Sequence, residues 1–162
     1  GVSSAASDVY KRQFINCSKP TVERWERSED VIRGPIVPFL KMLQKYPEYE
    51  QEVKVPEKVW PLRIWYMYDQ DVCTLIDVNE RERKVKIKNY TDKIMFRAFG
   101  VMEEPDYNQY IEFLESRCFP ESRDKMKLIL KDLGLPFYDP IMIIEKTEGR
   151  MAEDNFWIRI ER

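Results

Sequence analysis

The sequence predicts an α+β fold: a helical amino-terminal segment, then a small antiparallel sheet packed with about three helices. Three observations predict it. Residues 62–68, 72–78 and 85–90 are short runs rich in β-branched and aromatic residues, the pattern of an antiparallel meander. Three later segments repeat apolar residues at spacings of three and four, as helices do when they bury one face. Residues 156–160 then alternate again and can return to the sheet as a last strand.

The elements follow in order. Residues 1–13 lack apolar periodicity and predict a poorly ordered tail. Ser18 can cap a helix running to about Arg27, with Pro20 tolerated in its first turn, where its missing donor would be orphaned anyway. Val22 and Trp25 share the inner face of that helix, while Lys19, Thr21, Glu23 and Arg24 project outward. After a turn ending at Gly34-Pro35, a second helix through Lys45 places Ile36, Phe39, Leu40 and Leu43 on one stripe, and Pro47 stops it. Charge and prolines dominate residues 49–61, which read as a linker. Division into residues 14–48 and 62–162 follows.

In the third strand Lys84, Lys86 and Lys88 alternate with Val85 and Ile87, so one face is buried and the other wet and basic. Residues 93–99 read as a continuation of the sheet. The helical patterns are residues 107–117, with Tyr110, Phe113 and Leu114; residues 121–133, with Met126, Ile129, Leu130 and Leu133, closed by Gly134; and a helix opened by Pro140, with Ile141, Ile143 and Ile144, ended by Gly149.

Composition sets the chemistry. Of 162 residues 43% are apolar, 13% aromatic and 35% charged, enough apolar area to offset the entropy of ordering the chain. There is no histidine, which removes the usual general base, the Ser-His-Asp and Cys-His systems and every imidazole zinc site. Cys17, Cys73 and Cys118 lie far apart, which fits free thiols in a reducing cytosol and predicts no disulfide. Asp77, Asp92, Asp139, Glu153 and Asp154 show no spacing that suggests a metal site. No run approaches the ~18 to 20 apolar residues of a membrane span. The chain is expected to be no enzyme and to hold no cofactor or metal. Cys118, beside Arg117 and Arg123, is either a thiol of lowered pKa or a buried inert one. With 27 basic and 29 acidic residues the net charge is -2, so nucleic-acid binding needs a local basic surface. Arg81, Arg83, Lys84, Lys86 and Lys88 supply one, either as an accessory phosphate contact or as a solvated turn and strand face.

Three strings resemble known sequences. Residues 2–13, VSSAASDVYKRQ, resemble the translation of a transposon-end adapter used in preparing sequencing libraries, which implies an environmental assembly, natural sequence from Phe14 onward and a missing upstream part. Residues 17–27, CSKPTVERWER, with residues 34–43, GPIVPFLKML, and Pro47 resemble the second half of an XRE-type helix-turn-helix, particularly the variant in MqsA-type antitoxins. That resemblance implies that Lys19, Thr21 and Arg24 face double-stranded DNA, that Ser18 caps the helix beside phosphate, that Val22 and Trp25 are core and that Glu26 is structural. Ser28 stands where that family has glycine.

The third string spans FLESRCFP (113–120), Arg123, Tyr138-Asp139-Pro140, and residues 147–158, TEGRMAEDNFWI. It is similar to a small module found in operons of HipA-like kinases, with Phe113 in place of a tryptophan. The same residues also have a purely structural reading: Arg117 and Arg123 tie helix ends to carboxylates such as Asp139 or Asp154, and Trp157 fills the gap between helix and sheet.

Together these resemblances imply a cytoplasmic DNA-binding regulator, an antitoxin or autorepressor of a toxin–antitoxin-like operon, acting as a homodimer and partnering a toxin or kinase-like protein. The alternative is an interaction module that inhibits such a kinase-like toxin or a phage-defence effector. Deleting residues 1–13 is expected to leave the thermal midpoint unchanged in calorimetry; a fall of several degrees would show that this segment packs.

Overall fold

The computed structural model describes residues 36–162, which part into two units between Glu57 and Lys58. The predicted helix at residues 18–27, and with it Ser18, Lys19, Thr21, Val22, Arg24, Trp25 and Glu26, lies outside the described residues.

In the first unit helix α1 (Ile36–Lys45) is followed by α2 (Pro47–Val53). α1 ends before Tyr46 because a residue preceding proline is pushed out of helical geometry. Pro47 then opens α2, where its missing donor costs nothing. The division between Glu57 and Lys58 falls inside the linker assigned to residues 49–61. Its first five residues are helical, because Glu and Gln are strong helix formers even where charge crowds out apolar periodicity.

The second unit is a four-stranded antiparallel sheet with helices inserted before its last strand. β1 (Leu62–Tyr68), β2 (Asp71–Asn79), β3 (Lys84–Asn89) and β4 (Phe156–Glu161) lie in the order β3-β2-β1-β4. Between β3 and β4 come α3 (Tyr107–Ser116), α4 (Met126–Asp132) and α5 (Pro140–Thr147). The α+β class is therefore as the sequence indicates.

Alternation sorts the side chains. Leu62, Ile64 and Tyr66 of β1, Ile76 and Val78 of β2 and Ile158 of β4 are buried in one cluster with Tyr110, Phe113 and Leu114 of α3 and Ile141, Ile143 and Ile144 of α5. Val85 and Ile87 of β3 pack against that cluster. Arg63, Trp65, Asp77, Lys86, Trp157 and Arg159 fall on the opposite sheet face by the same period of two.

Caps fix the helices that supply the core. Asp106 accepts from the Gln109 amide and the Gln109 side chain accepts from the Asp106 amide, both at 2.8 Å, a reciprocal capping box at the start of α3. Asp139 Oδ1 accepts from the amides of Ile141 and Met142, and Pro140 occupies the first turn of α5.

Three expectations are corrected. Residues 93–99 do not extend the sheet: a 3-10 turn spans Ile94–Phe96, and the chain bends because Arg97 Nε donates to the Thr91 carbonyl at 2.8 Å and the Ala98 amide to Thr74 Oγ1 at 3.1 Å. The helix expected from residue 121 begins only at Met126, because Lys125 is left-handed (φ 61°) and without a side-chain cap bond. Trp157 does not fill the space between helix and sheet. Its neighbours Phe156 and Ile158 take the helix side, and its own indole Nε1 donates to the Asp69 carbonyl at 2.6 Å.

Gly149 shows how tightly α5 is joined to β4. At φ +59° a side chain is strained, and a Cβ would stand 3.1 Å from Ile158 Cδ1 and 3.5 Å from Arg117 Cβ. Gly134, at φ +69°, would meet nothing within 4 Å. Gly134→Ala should therefore cost about 1 kcal/mol, the left-handed penalty alone. Gly149→Ala should cost distinctly more in urea unfolding; equal costs would refute the close approach.

Candidate functional site

Three groupings of polar side chains stand out in the second unit. The first centres on Arg117, the residue that caps the carboxyl end of α3. Its guanidinium holds Asp154 through two hydrogen bonds, Nη1 to Oδ2 at 2.7 Å and Nη2 to Oδ1 at 3.0 Å. Nε and Nη2 also donate to the Gly149 carbonyl at 3.1 and 2.8 Å, and Nη2 reaches the Phe156 carbonyl at 3.1 Å. The cation lies about 6 Å from the rings of Tyr66 and Phe156, themselves stacked at 4.8 Å. Burial pushes the Tyr66 phenol up to about 12. The hydrogen bonds from Arg117 hold the Asp154 carboxyl below the usual range.

Of the carboxylates named as partners, Asp154 takes Arg117, while Asp139 caps α5. Arg123 is exposed, its guanidinium 5.8 Å from the Phe119 ring, so it does not match Arg117 in tying helix ends. Arg150, next to the turn glycine, stacks over Trp157 at 5.1 Å.

The second grouping is a row of alternating charge across the sheet face away from the helices. Lys86 pairs with Asp77, Asp77 with Arg63 and Arg63 with Glu161 in register. Arg63 grips Asp77 through Nε–Oδ1 at 2.7 Å and Nη2–Oδ2 at 2.8 Å, and both side chains are buried. Trp65 Nε1 donates to Glu161 at 3.1 Å, and Arg159 lies over the Trp65 ring at 5.0 Å.

Along β3 the lysines have different surroundings. Lys84 is exposed and paired with Glu82 at 2.7 Å, Lys86 is exposed, and Lys88 is half-buried with its ammonium 5.1 Å from the Tyr90 ring. Arg83 is turned away from them, over Tyr107 at 4.6 Å and bonded to Asn108. The cationic surface of β3 is thus narrower than its sequence: Lys84 and Lys86 reach water freely.

The third grouping is thiol chemistry. Cys73 and Cys118 are both free and buried. Burial pushes Cys73 up to about 11 and raises Cys118, whose Sγ lies 3.4 Å from the Tyr138 hydroxyl. Arg117 is committed to Asp154 and leaves Cys118 unactivated, so the buried, inert reading holds. Nearby, Glu115, Pro120, Glu121, Ser122 and Tyr138 line a solvent-open depression of about 680 Å³. Among the described residues no group of three or more His, Cys, Asp and Glu is placed to hold a metal, and no helix is long and apolar enough to cross a membrane.

The Arg63–Asp77 pair escapes sequence reading, although each is a charge embedded in an apolar strand run, the signal that could have flagged it. Comparison with protein-family models, with curated proteins and with solved structures finds no match.

Arg117 and Asp154 give a pH test. The folded carboxyl titrates below its ordinary value of about 3.9, so its stabilisation is complete above that value and is lost as pH falls through the lower folded value. Asp154→Ala should cost about 2 kcal/mol near pH 7, less than the 3–5 kcal/mol of a fully buried pair, because Asp154 is partly open to water. Urea midpoints of the two proteins should converge only below about pH 4; a constant gap down to pH 2 would assign the cost to packing instead.

Proposed function

We propose that this chain is a cytoplasmic DNA-binding transcriptional regulator, an antitoxin or autorepressor of a toxin–antitoxin-like operon. Its ligand is double-stranded DNA, read as a homodimer so that two recognition helices meet half-sites about one helical turn apart. Lys19, Thr21 and Arg24 reach base edges and Ser18 the phosphate beside the helix start. Its protein partner in this reading is a toxin or kinase-like protein.

The observation that carries this reading is α1. The helix-turn-helix resemblance calls for a helix directly after Gly34-Pro35 and ending before Pro47, and residues Ile36–Lys45 are helical. The exposed Lys84 and Lys86, two residues apart on one strand face, add sequence-independent phosphate contacts.

Fluorescence anisotropy should be measured on the duplex upstream of the chain's own gene and on a scrambled duplex of equal composition. Changing Lys19, Thr21 and Arg24 together to Ala should abolish the preference, and Arg24→Ala alone should cost about 1–3 kcal/mol if it reads a guanine edge. Lys86→Ala should weaken both duplexes about equally and lower the salt slope by about 1. Equal binding of the two duplexes, or a preference that survives the triple change, would sink the reading.

A further inference from the structure

We infer that the segment from Ile94 to Met102 is a docking surface for a protein segment that is apolar and flanked by Lys or Arg. This rests on different residues from the DNA reading and stands or falls separately.

The segment turns tightly on itself. Phe96 N donates to Lys93 O at 2.9 Å, Arg97 N to Ile94 O at 3.1 Å, Gly100 N to Arg97 O at 3.4 Å and Met102 N to Phe99 O at 3.0 Å. It is also anchored from beneath. Phe99 is buried in the core cluster, Phe96 packs edge-on to Tyr68 at 4.7 Å, and the Ala98 amide is tied to Thr74. Yet Met95 is 81% exposed, Val101 73%, Ile94 52% and Met102 40%. Gly100 brings two parts of this surface together, since a Cβ there would stand 3.8 Å from Ile94 Cγ2. The segment seats Phe96 and Phe99 inward and holds four large aliphatic side chains outward within nine residues, a concentration of exposed apolar surface on an anchored turn. Scattered exposed aliphatics would need no such explanation.

Charge selects the occupant. Residues 92–106 contain four acids, Asp92, Glu103, Glu104 and Asp106, all exposed, against Lys93 and Arg97. Arg97 is engaged by the Thr91 carbonyl and pairs with Asp92 at 3.7 Å, and Asp106 caps α3, which leaves Glu103 and Glu104 to set the charge of the rim. An apolar patch with an acidic rim repels phosphate, whether of nucleic acid or of an anionic lipid surface, and attracts an apolar segment edged with cations. Two methionines in the patch suit it to mould to such a segment, because the thioether chain is flexible and polarizable.

The probe is a short fluorescent amphipathic helical peptide of Leu and Lys, with its Leu–Glu counterpart as control, titrated against the intact chain. The Leu–Lys peptide should bind and the Leu–Glu peptide should not. Met95→Ser with Val101→Ser should weaken binding about tenfold while leaving the thermal midpoint unchanged, since both side chains face water. Glu103→Lys with Glu104→Lys should weaken it similarly by an independent route. The inference is overturned if either double variant binds like the parent or if both peptides bind alike. It is equally overturned if the apolar double variant instead loses pelleting with phosphatidylserine vesicles, or loses self-association in sedimentation, which would assign the patch to a membrane or to a second copy.

Discussion

Arg117 is the point at which the helices of the second unit are fastened to its sheet. β4 is an edge strand added late in the chain, after three helices, and among the described residues its only strand neighbour is β1. An edge strand leaves every second backbone group pointing outward, available to a foreign strand. Here three of those groups, at Phe156 and Ile158, are taken. The Phe156 amide bonds Asp154 Oδ1, the Phe156 carbonyl accepts from Arg117, and the Ile158 amide donates to the Glu148 carbonyl at 2.7 Å. One guanidinium thus occupies the start of the strand edge, holds the turn at Gly149 and ends α3, because all five hydrogen bonds converge on the fork geometry that only arginine offers. Lysine, a single point charge, could not replace it.

The two arginine–carboxylate pairs do different work. Arg63–Asp77 is buried on both sides, and the desolvation of two such charges can exceed their attraction, so its presence is no argument for extra stability. What it does impose is register. A slip of one residue between β1 and β2 would leave a buried guanidinium opposite Ile76 or Val78, and an unpaired buried charge is far costlier than a lost pair is valuable. Arg117–Asp154 is partly wet and multiply bonded to the backbone, so it contributes through the polar groups it satisfies as much as through charge.

How much of this was legible in the sequence depends on which physical signal each part carries. Strands β1 to β4 and helices α3 and α5 announce themselves through alternation or spacing, and Arg117 with Asp154 was readable as a tie between a helix end and a carboxylate. The Arg63–Asp77 pair was not, because the register shifts between Tyr66 and Met67, with Cys73 as the extra residue on β2. Counting back from the Asp69-Gln70 turn without that bulge sets Arg63 against Ile76. Trp157 was misplaced for a related reason: Phe156 and Trp157 are both aromatic, and composition does not say which one the pleat turns inward. Residues 93–99 look like a strand because they are apolar. Their apolar side chains divide between core and solvent in a turn, which no period of two describes. Of the residues bet on for DNA reading, only the β3 lysines fall within the described residues. Their differing exposure is set by Glu82 and Tyr90, which lie outside the strand and its alternation.

The charge layout gives the second unit two surfaces of opposite character in consecutive stretches of chain. β3 offers Lys84 and Lys86 on one strand face, with Lys88 drawn over Tyr90. A few residues later the 92–106 segment is acidic around an apolar centre. Near-neutral net charge hides this segregation, since 27 basic and 29 acidic residues almost cancel in the total. Segregation of this kind provides discrimination through repulsion. On the two proposals, the lysines of β3 would disfavour a cationic segment and Glu103 and Glu104 a polyanion, each at its own surface. A strand carrying three lysines is also a poor template for pairing with its own copy, because antiparallel pairing would set like charges side by side. Of the two sheet edges, β4 is therefore covered by hydrogen bonds at Phe156 and Ile158, and β3 is guarded by charge. Ile94, Met95, Val101 and Met102 are exposed on a turning segment whose backbone is bonded to itself at several points, not on a strand that could be extended.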